Sequence, residues 1–317
     1  MPAGVLRRLP GSDWFGLAVL LVLGVGVLGA MRPDFLSAFN VFVLLDTVAL
    51  STLIALAQMV VIALGQMNLS VGAIGGLVAI GFAGSMQVWG IPPLLAGLGG
   101  LLLGAACGAF NGVMTVRAGL SAFIVTLASM ACFKGINLGI TQAQPFYGVP
   151  DSVKALGNAG IGPVPVLLLP AALAAVVVGW MLARLPIGRQ MLAVGGNTHA
   201  AELSGIAVGR VIVVTHILSG VLAAAAGMLA VARLQLGQPT IGDDWLIPSF
   251  AAPVIGGTLL AGGHASVAGT VCGVAVVALI AQALVLFRVD PYYVQLLLGL
   301  LILGAVGLSR LRAAQAA

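Results

Sequence analysis

Long apolar runs, broken by Gly, Pro and isolated charges, dominate the chain. A helix needs about 20 such residues to cross a hydrocarbon core, and ten runs approach that length: 14–31, 41–65, 69–89, 92–116, 120–141, 164–183, 211–232, 246–262, 265–287 and 293–309. No charge marks the turns within 66–116, so they are placed at Gly65–Asn68 and Gly90–Pro93, where Gly and Pro punctuate the pattern. Barrel strands would alternate polar and apolar residues over about ten positions, and these runs do not. The pattern predicts an all-α polytopic membrane helical bundle of about ten transmembrane helices, with residues 1–317 forming one transmembrane domain.

Composition agrees. Of 317 residues, 61% are hydrophobic and 7% charged, against roughly 25% charged in a soluble domain. That excludes disorder, a soluble enzyme and a nucleic-acid binder. The 13 basic residues form no patch, so the net positive charge is better read as a positive-inside bias. With the N-terminus inside, the inner segments hold Arg7, Arg8, Arg117, Arg184, Arg189, Arg210, Arg310 and Arg312, and the outer ones hold Arg32, Lys154, Arg233 and Arg288. Both termini are therefore expected in the cytoplasm. Two longer connections remain, 142–163 outside and 184–210 inside. Neither has the length of a soluble domain, so any driving force must come from another chain or an ion gradient.

Searches for catalytic chemistry within the chain return little. Lys134 and Lys154 follow Phe133 and Val153, so there is no G-K-[ST] phosphate loop. His199-Ala-Ala-Glu202 is the nearest approach to H-E-x-x-H, and one His with one Glu is no metal site. His216 and His264 read as packed or hydrogen-bonded residues. Cys107, Cys132 and Cys272 lie in apolar runs without a C-x-x-C pair and read as small buried hydrophobes. No catalytic residue, metal ligand or cofactor is expected on this chain.

Two ionisable residues fall at membrane depth, where a charge costs about 2.5–3.5 kcal/mol on insertion scales and must face a partner or a wet cavity. Asp46, near the outer end of the second run, either lines a substrate path or packs against a neighbouring helix. Lys134, in the outer half of the fifth, either lines the path or snorkels to the interface. Gly100, Gly104, Gly108 and Gly112 give the fourth run a smooth face for close helix packing, and Gly72/Gly76 and Gly269/Gly273 repeat the spacing. The fourth and ninth runs are both Gly-spaced and lie five spans apart. An odd offset reverses orientation, so an inverted repeat is expected.

The 184–210 connection carries the most specific pattern. Asn197 or Thr198 can cap a short helix through His199–Leu203, and Gly205 can end it. Such an element is either a docking helix or an ordinary solvated loop. Gly188-Arg189, Ala193-Val194-Gly195-Gly196-Asn197, Ala200-Ala201 and Ser204-Gly205-Ile206-Ala207-Val208 resemble the inner-loop segment of ribose-type ABC importer permeases. Leu69-Ser70-Val71-Gly72, Phe123-Ile124-Val125-Thr126-Leu127, Val254-Ile255-Gly256-Gly257 with Gly262-Gly263, and Pro291-Tyr292-Tyr293 are similar to further segments of that family, in the same order across about 35–309.

The resemblance implies a permease subunit of the bacterial inner membrane, carrying a monosaccharide or similar small polar solute. It implies two permease copies, identical or related, around a central path in the lipid. ABC ATPase subunits holding ATP and Mg would dock inside, and a periplasmic solute-binding protein would deliver the solute. The coupling element would then comprise Arg189, Asn197, Ala200, Ala201, Glu202 and Gly205. Asp46, Gln58, Asn68, Asn111, Phe123 and Gln282 are the pathway candidates, each alternatively a helix–helix hydrogen-bonding or packing residue. Asn68 stands where the family usually carries an acid, and Ala281-Gln282 replaces a common Asn pair, which counts against ribose itself. A branched-chain amino-acid-type permease and a stand-alone ion-coupled carrier are the competing readings.

Overall fold

The computed structural model describes residues 12–289 together with Tyr293, Leu296, Gly299, Leu300, Leu303 and Gly304. The termini with Arg7, Arg8, Arg310 and Arg312, the turn at Asp290–Tyr292, and most of the expected span at 293–309 lie outside the described residues.

Among the described residues, seven helices are long and apolar enough to cross a membrane: α1 (Ser12–Met31), α2 (Ala38–Ile62), α3 (Val71–Trp89), α4 (Pro93–Ala118), α5 (Ala122–Thr141), α10 (Val208–Leu234) and α12 (Val267–Leu286). Each matches an expected run, and the turns between α2, α3 and α4 fall where Gly and Pro placed them. The sixth run is α7 (Leu168–Arg184), which bends by 73° into α8 (Pro186–Gly196). Pro186 at the start of α8 fixes this break, because Pro is tolerated in a helix's first turn but not in a continuing one. A short helix α9 (Thr198–Leu203) follows, and α6 (Asp151–Asn158) with a two-stranded hairpin, β1 (Gly160–Ile161) and β2 (Val164–Pro165), fills the connection between α5 and α7 at the other end.

The eighth run corrects the expectation. Only Leu246–Ile255 is helical; this helix, α11, is about 15 Å long at about 1.5 Å per residue, half of a roughly 30 Å hydrocarbon core. Pro253 within it, and then Gly257, Gly262 and Gly263 in left-handed conformations, stop the helix before it can span.

The bundle is held by the small-residue faces. Along α4, a Cβ added at Gly104, Gly108 or Gly112 would run into α10 at Gly220/Ala224, His216 and Val213 respectively. Gly220 answers from α10 by packing on Gly104. The two backbones therefore approach closely and gain contact without bulky side chains. Gly269 and Gly273 bring α12 against α11 at Gly256 and Ala252 in the same manner.

The packing has an internal symmetry. Helices α3 and α4 pack on α10, while α11 and α12 pack on α2. These reciprocal contacts of α2–α3–α4 and α10–α11–α12 are the kind that the expected inverted repeat would give. In each unit the first two helices are separated by non-helical backbone, at 63–70 and 235–245.

Gly108→Leu should force α4 and α10 apart, and overpacking of this kind typically costs about 1–3 kcal/mol. A lowered thermal unfolding midpoint in detergent is the expected result, with Gly99→Leu, whose Cβ position is open, as an unchanged control. Equal stability of the two variants would contradict the seam.

Candidate functional site

Two breaks in the membrane backbone define the region of interest. Backbone polar groups at membrane depth must be satisfied by protein or by a wet cavity, and the two breaks do this differently.

The break at 63–70 is braced by a network of buried side chains. Asn68 donates through Nδ2 to Ser219 Oγ on α10 (3.0 Å), and its Oδ1 accepts from the Ser70 backbone N–H (3.0 Å) and from Ser70 Oγ (2.7 Å). Asn111 on α4 donates to Ser70 Oγ at 2.8 Å. Gln58, oriented so that both amide atoms are satisfied, donates to the Asn68 carbonyl (2.8 Å) and accepts from its N–H (3.2 Å). Thr126 Oγ1 on α5 accepts from Leu69 N–H, and Gln66 Oε1 lies 3.1 Å from His216 Nε2. Gln58, Asn68, Asn111 and His216 are fully buried. Three of the expected pathway residues therefore come together, but as a closed network inside one copy of the chain, with no surface to offer a solute in this conformation.

The break at 235–245 is open. Its backbone descends along α3, with Gly237 against Ala83, Ile241 against Gly76 and Gly242 against Gly72. Asn137 on α5 donates to the Pro239 carbonyl at 3.0 Å. Asp243 pairs with Lys134 at 2.9 Å, seven residues and so about 10 Å from the end of α5. Gln238, Thr240, Asp243 and Asp244 are all exposed.

Asp46 sits beside this segment and is buried, with its carboxylate Oδ2 2.6 Å from Arg233 Nε. Arg233 also donates through Nη2 to Thr47 Oγ1 at 3.2 Å. Sequence reasoning found the buried acid but assigned Arg233 only to a loop as a topology charge. The last turn of α10 brings it back over α2, and only the packing of those helices reveals the pair. Gln282 donates to Asn40 Oδ1 at 3.3 Å on α2, bridging the two repeats while remaining part-exposed.

A cleft accompanies each break. One, of about 290 Å³, is lined by Leu50, Arg233, Gln238, Thr240, Asp244 and Trp245 among others. The other, of about 310 Å³ at the opposite end, is lined by Gln66, Thr115, Ser121 and Phe123. Cavities of about 460 and 610 Å³ elsewhere are lined almost wholly by apolar side chains.

Helix α5 connects the two clefts. Its polar side chains Thr126, Ser129, Asn137 and Thr141 are buried against the bundle, while Phe123, Leu127, Ala131 and Lys134 form an exposed stripe. Phe123 to Lys134 covers about 16 Å along the axis. Cys132 is exposed on this helix, contrary to the expectation that all three cysteines are buried; Cys107 is buried and Cys272 intermediate. The neighbouring small residues Ala128, Ala131, Gly135 and Gly139 are exposed with it, so this side of α5 has no covering helix among the described residues. A charged Lys134 at this depth cannot face lipid without a large penalty. The stripe thus belongs against water or protein.

At the end carrying α8 and α9, Asn197 Oδ1 accepts from Ala200 N–H at 2.9 Å and caps α9, and Gly205 follows in a left-handed conformation with φ of 80°. Gly195 packs on the Ala63 carbonyl and Gly263, and the Gly263 N–H donates to that same carbonyl at 3.0 Å. The α8–α9 element is therefore in direct contact with both the 63–70 break and the turn after α11. Ala201 is buried, whereas Glu202 and Gly205 are exposed.

Replacing Arg233 by Met leaves Asp46 buried without its counter-charge. A destabilisation of about 1–3 kcal/mol is expected, below the roughly 3–5 kcal/mol of fully enclosed pairs because Arg233 is part-exposed, and Asp46→Asn in the same chain should restore much of it. A double-mutant cycle on unfolding midpoints measures this, and strictly additive effects would argue against the pair.

The family model described as "Branched-chain amino acid transport system / permease component" matches residues 40–306. The chain is 36% identical over 313 residues to the ribose import permease protein RbsC of Bacillus subtilis, covering 98% of this chain and 95% of that one. It is 35% identical to the D-allose transport system permease protein AlsC of Escherichia coli, covering 94% and 92%. The match to the fructose import permease protein FrcC of Rhizobium meliloti is 33%, covering 96% and 86%. No solved structure matches. With a multi-pass helical bundle and relatives aligned nearly end to end, the chain belongs to the branched-chain amino acid transport system permease component family.

Proposed function

We propose that this chain is the membrane-spanning permease subunit of an ATP-binding-cassette importer that moves a monosaccharide or similar small polar solute into the cytoplasm. The observation that carries this reading is the near full-length match to permeases named for ribose, allose and fructose import. The family model's description names branched-chain amino acids, but the relatives at 33–36% identity cited above are named for sugars. The ion-coupled carrier loses its best support, because Asp46, the one acid expected at membrane depth, is held by Arg233.

In the proposed orientation the α8–α9 end, with Arg117, Arg184, Arg189 and Arg210, faces the cytoplasm of a bacterial inner membrane, and both termini lie there. ATPase subunits, holding ATP and Mg, dock on 184–210 through Arg189, Glu202 and the exposed residues around Gly205. Their closure reaches the spans through Gly195, which touches the backbone on both sides of the pseudo-symmetric core. A second permease copy, identical or related, faces the exposed stripe of α5, and a periplasmic binding protein delivers solute to the opposite end. The path then runs from the Arg233 cleft past Lys134 to the Phe123 cleft. Phe123 keeps its place as a pathway residue. Asp46 and Gln282 contribute by holding the walls, while Gln58, Asn68 and Asn111 act as the internal brace.

The test is co-purification with the neighbouring ATPase and binding protein, followed by ATP hydrolysis and sugar uptake in proteoliposomes. Hydrolysis that rises with loaded binding protein is the expected result; a chain that purifies alone and moves solute without ATP would overturn the reading. Gly205→Arg, whose side chain meets open space but whose backbone is strained at a φ of 80°, should abolish that stimulation while leaving membrane insertion intact. Normal stimulation in that variant would remove the coupling role.

A further inference from the structure

The two breaks are equivalent by the internal repeat yet differ in chemistry. The 63–70 break turns Asn68 and Ser70 into a buried network and offers only Gln66 to its cleft, whereas 235–245 presents Gln238, Thr240 and Asp244 to a cleft of about 290 Å³ walled by Arg233, Leu50 and Trp245. The backbone of 235–245 is hydrogen-bonded through its own turns and the Phe146–Gly237 bridge, so these displayed side chains are not needed to satisfy it. Polar side chains left displayed at membrane depth point to a wet cavity with something to bind.

The charges select the class of ligand. Arg233 is paired with Asp46 and Asp243 with Lys134, so Asp244 is the acid on this segment without an ion pair among the described residues. An anionic solute is opposed by the unpaired Asp244, while Arg233, its charge balanced by Asp46, serves as a hydrogen-bond donor in the wall. A hydroxyl group suits all of the lining. It accepts from Arg233, donates to Asp244, and does both with the Gln238 amide and the Thr240 hydroxyl. Trp245, packed over Gly75, and Leu50 supply apolar surface for the carbon face of such a molecule. The volume lies at the lower edge of the roughly 300–1,000 Å³ usual for ligand sites, which limits the occupant to a small one.

We propose that the cleft formed by Arg233, Gln238, Thr240, Asp244 and Trp245 is a binding station for a neutral polyhydroxylated solute, occupied after release from the delivering protein and before passage along α5. This rests on the importer reading and specifies where and how the permease itself recognises its cargo. Recognition in the membrane is then selective for uncharged polyols, and adds a second filter to the soluble partner.

The test uses the complete complex with Cys107→Ala, Cys132→Ser and Cys272→Ala as parent and Thr240→Cys added. In nanodiscs, a membrane-impermeant methanethiosulfonate reagent is expected to label the new thiol. D-ribose, D-allose or D-fructose should slow labelling several-fold, and D-gluconate and D-glucosamine should not. An unreactive thiol, or labelling that no neutral sugar slows, overturns the station. Equal protection by the charged analogues overturns its selectivity. As a second arm, Thr240→Trp should fill the cleft and cut sugar uptake at least ten-fold while ATP hydrolysis still responds to loaded binding protein, which shows that the complex is folded and coupled. Uptake at the parent rate would refute the proposal. A parent complex that moves none of the three sugars with ATP counts against the importer reading instead, and labelling and protection then decide the cleft by themselves.

Discussion

Everything in this protein follows from the need to satisfy backbone N–H and C=O groups where no bulk water is available. A continuous helix does so by itself, and α1, α2, α4, α5 and α10 are such helices. At 63–70 and 235–245 the chain gives that solution up, and the rest of the bundle is arranged around the consequences. Gln58, Asn68, Ser70, Asn111, Thr126 and Ser219 converge from four helices and the break itself to repair the first gap. The second is satisfied by its own turns, by the Phe146–Gly237 bridge and by Asn137, and it turns the side chains of Gln238, Thr240 and Asp244 to a cleft. One end thereby carries a buried hydrogen-bonded brace and the other a polar cleft.

Close helix packing makes the breaks affordable. Backbone in non-helical form fits beside α3 only because Gly72 and Gly76 remove the side chains that would collide with Gly242 and Ile241. The Gly stripe on α4 does the same for α10. The same kind of seam joins the α8–α9 end to the core. Gly195 lies on backbone from both repeats, without a side chain in between that could absorb a displacement. Packed interiors of this kind transmit strain and do not deform smoothly.

Charge inside the bundle follows the same economy. Asp46 and Arg233 neutralise each other between α2 and α10, and Lys134 and Asp243 do so between α5 and the open break. Both pairs tie non-helical or terminal backbone to a long helix. Their cost of insertion, about 2.5–3.5 kcal/mol for a central charge, is offset by the partner. The result is a polar surface at membrane depth with little net charge.

Much of this was legible in the sequence. Apolar run length and Gly/Pro punctuation determined the spans, because a helix crossing lipid needs a fixed length whatever its neighbours are. The α9 cap at Asn197 and the terminator at Gly205 were equally local, each set by the dihedral preference or side-chain reach of one residue. The Gly spacing on α4 identified a packing face without naming its partner. Tertiary structure alone decided the partners: that α10 fills that face, that Asp46 meets Arg233 187 positions away, and that Gln58, Asn68 and Asn111 brace the interior. It also decided that the eighth run is half a span, since Pro253 and the glycines after it forbid continuation but do not say where the chain goes next. Sequence fixes what a segment must do alone in lipid; which polar group meets which is set by the crossing of helices, and no local pattern encodes that.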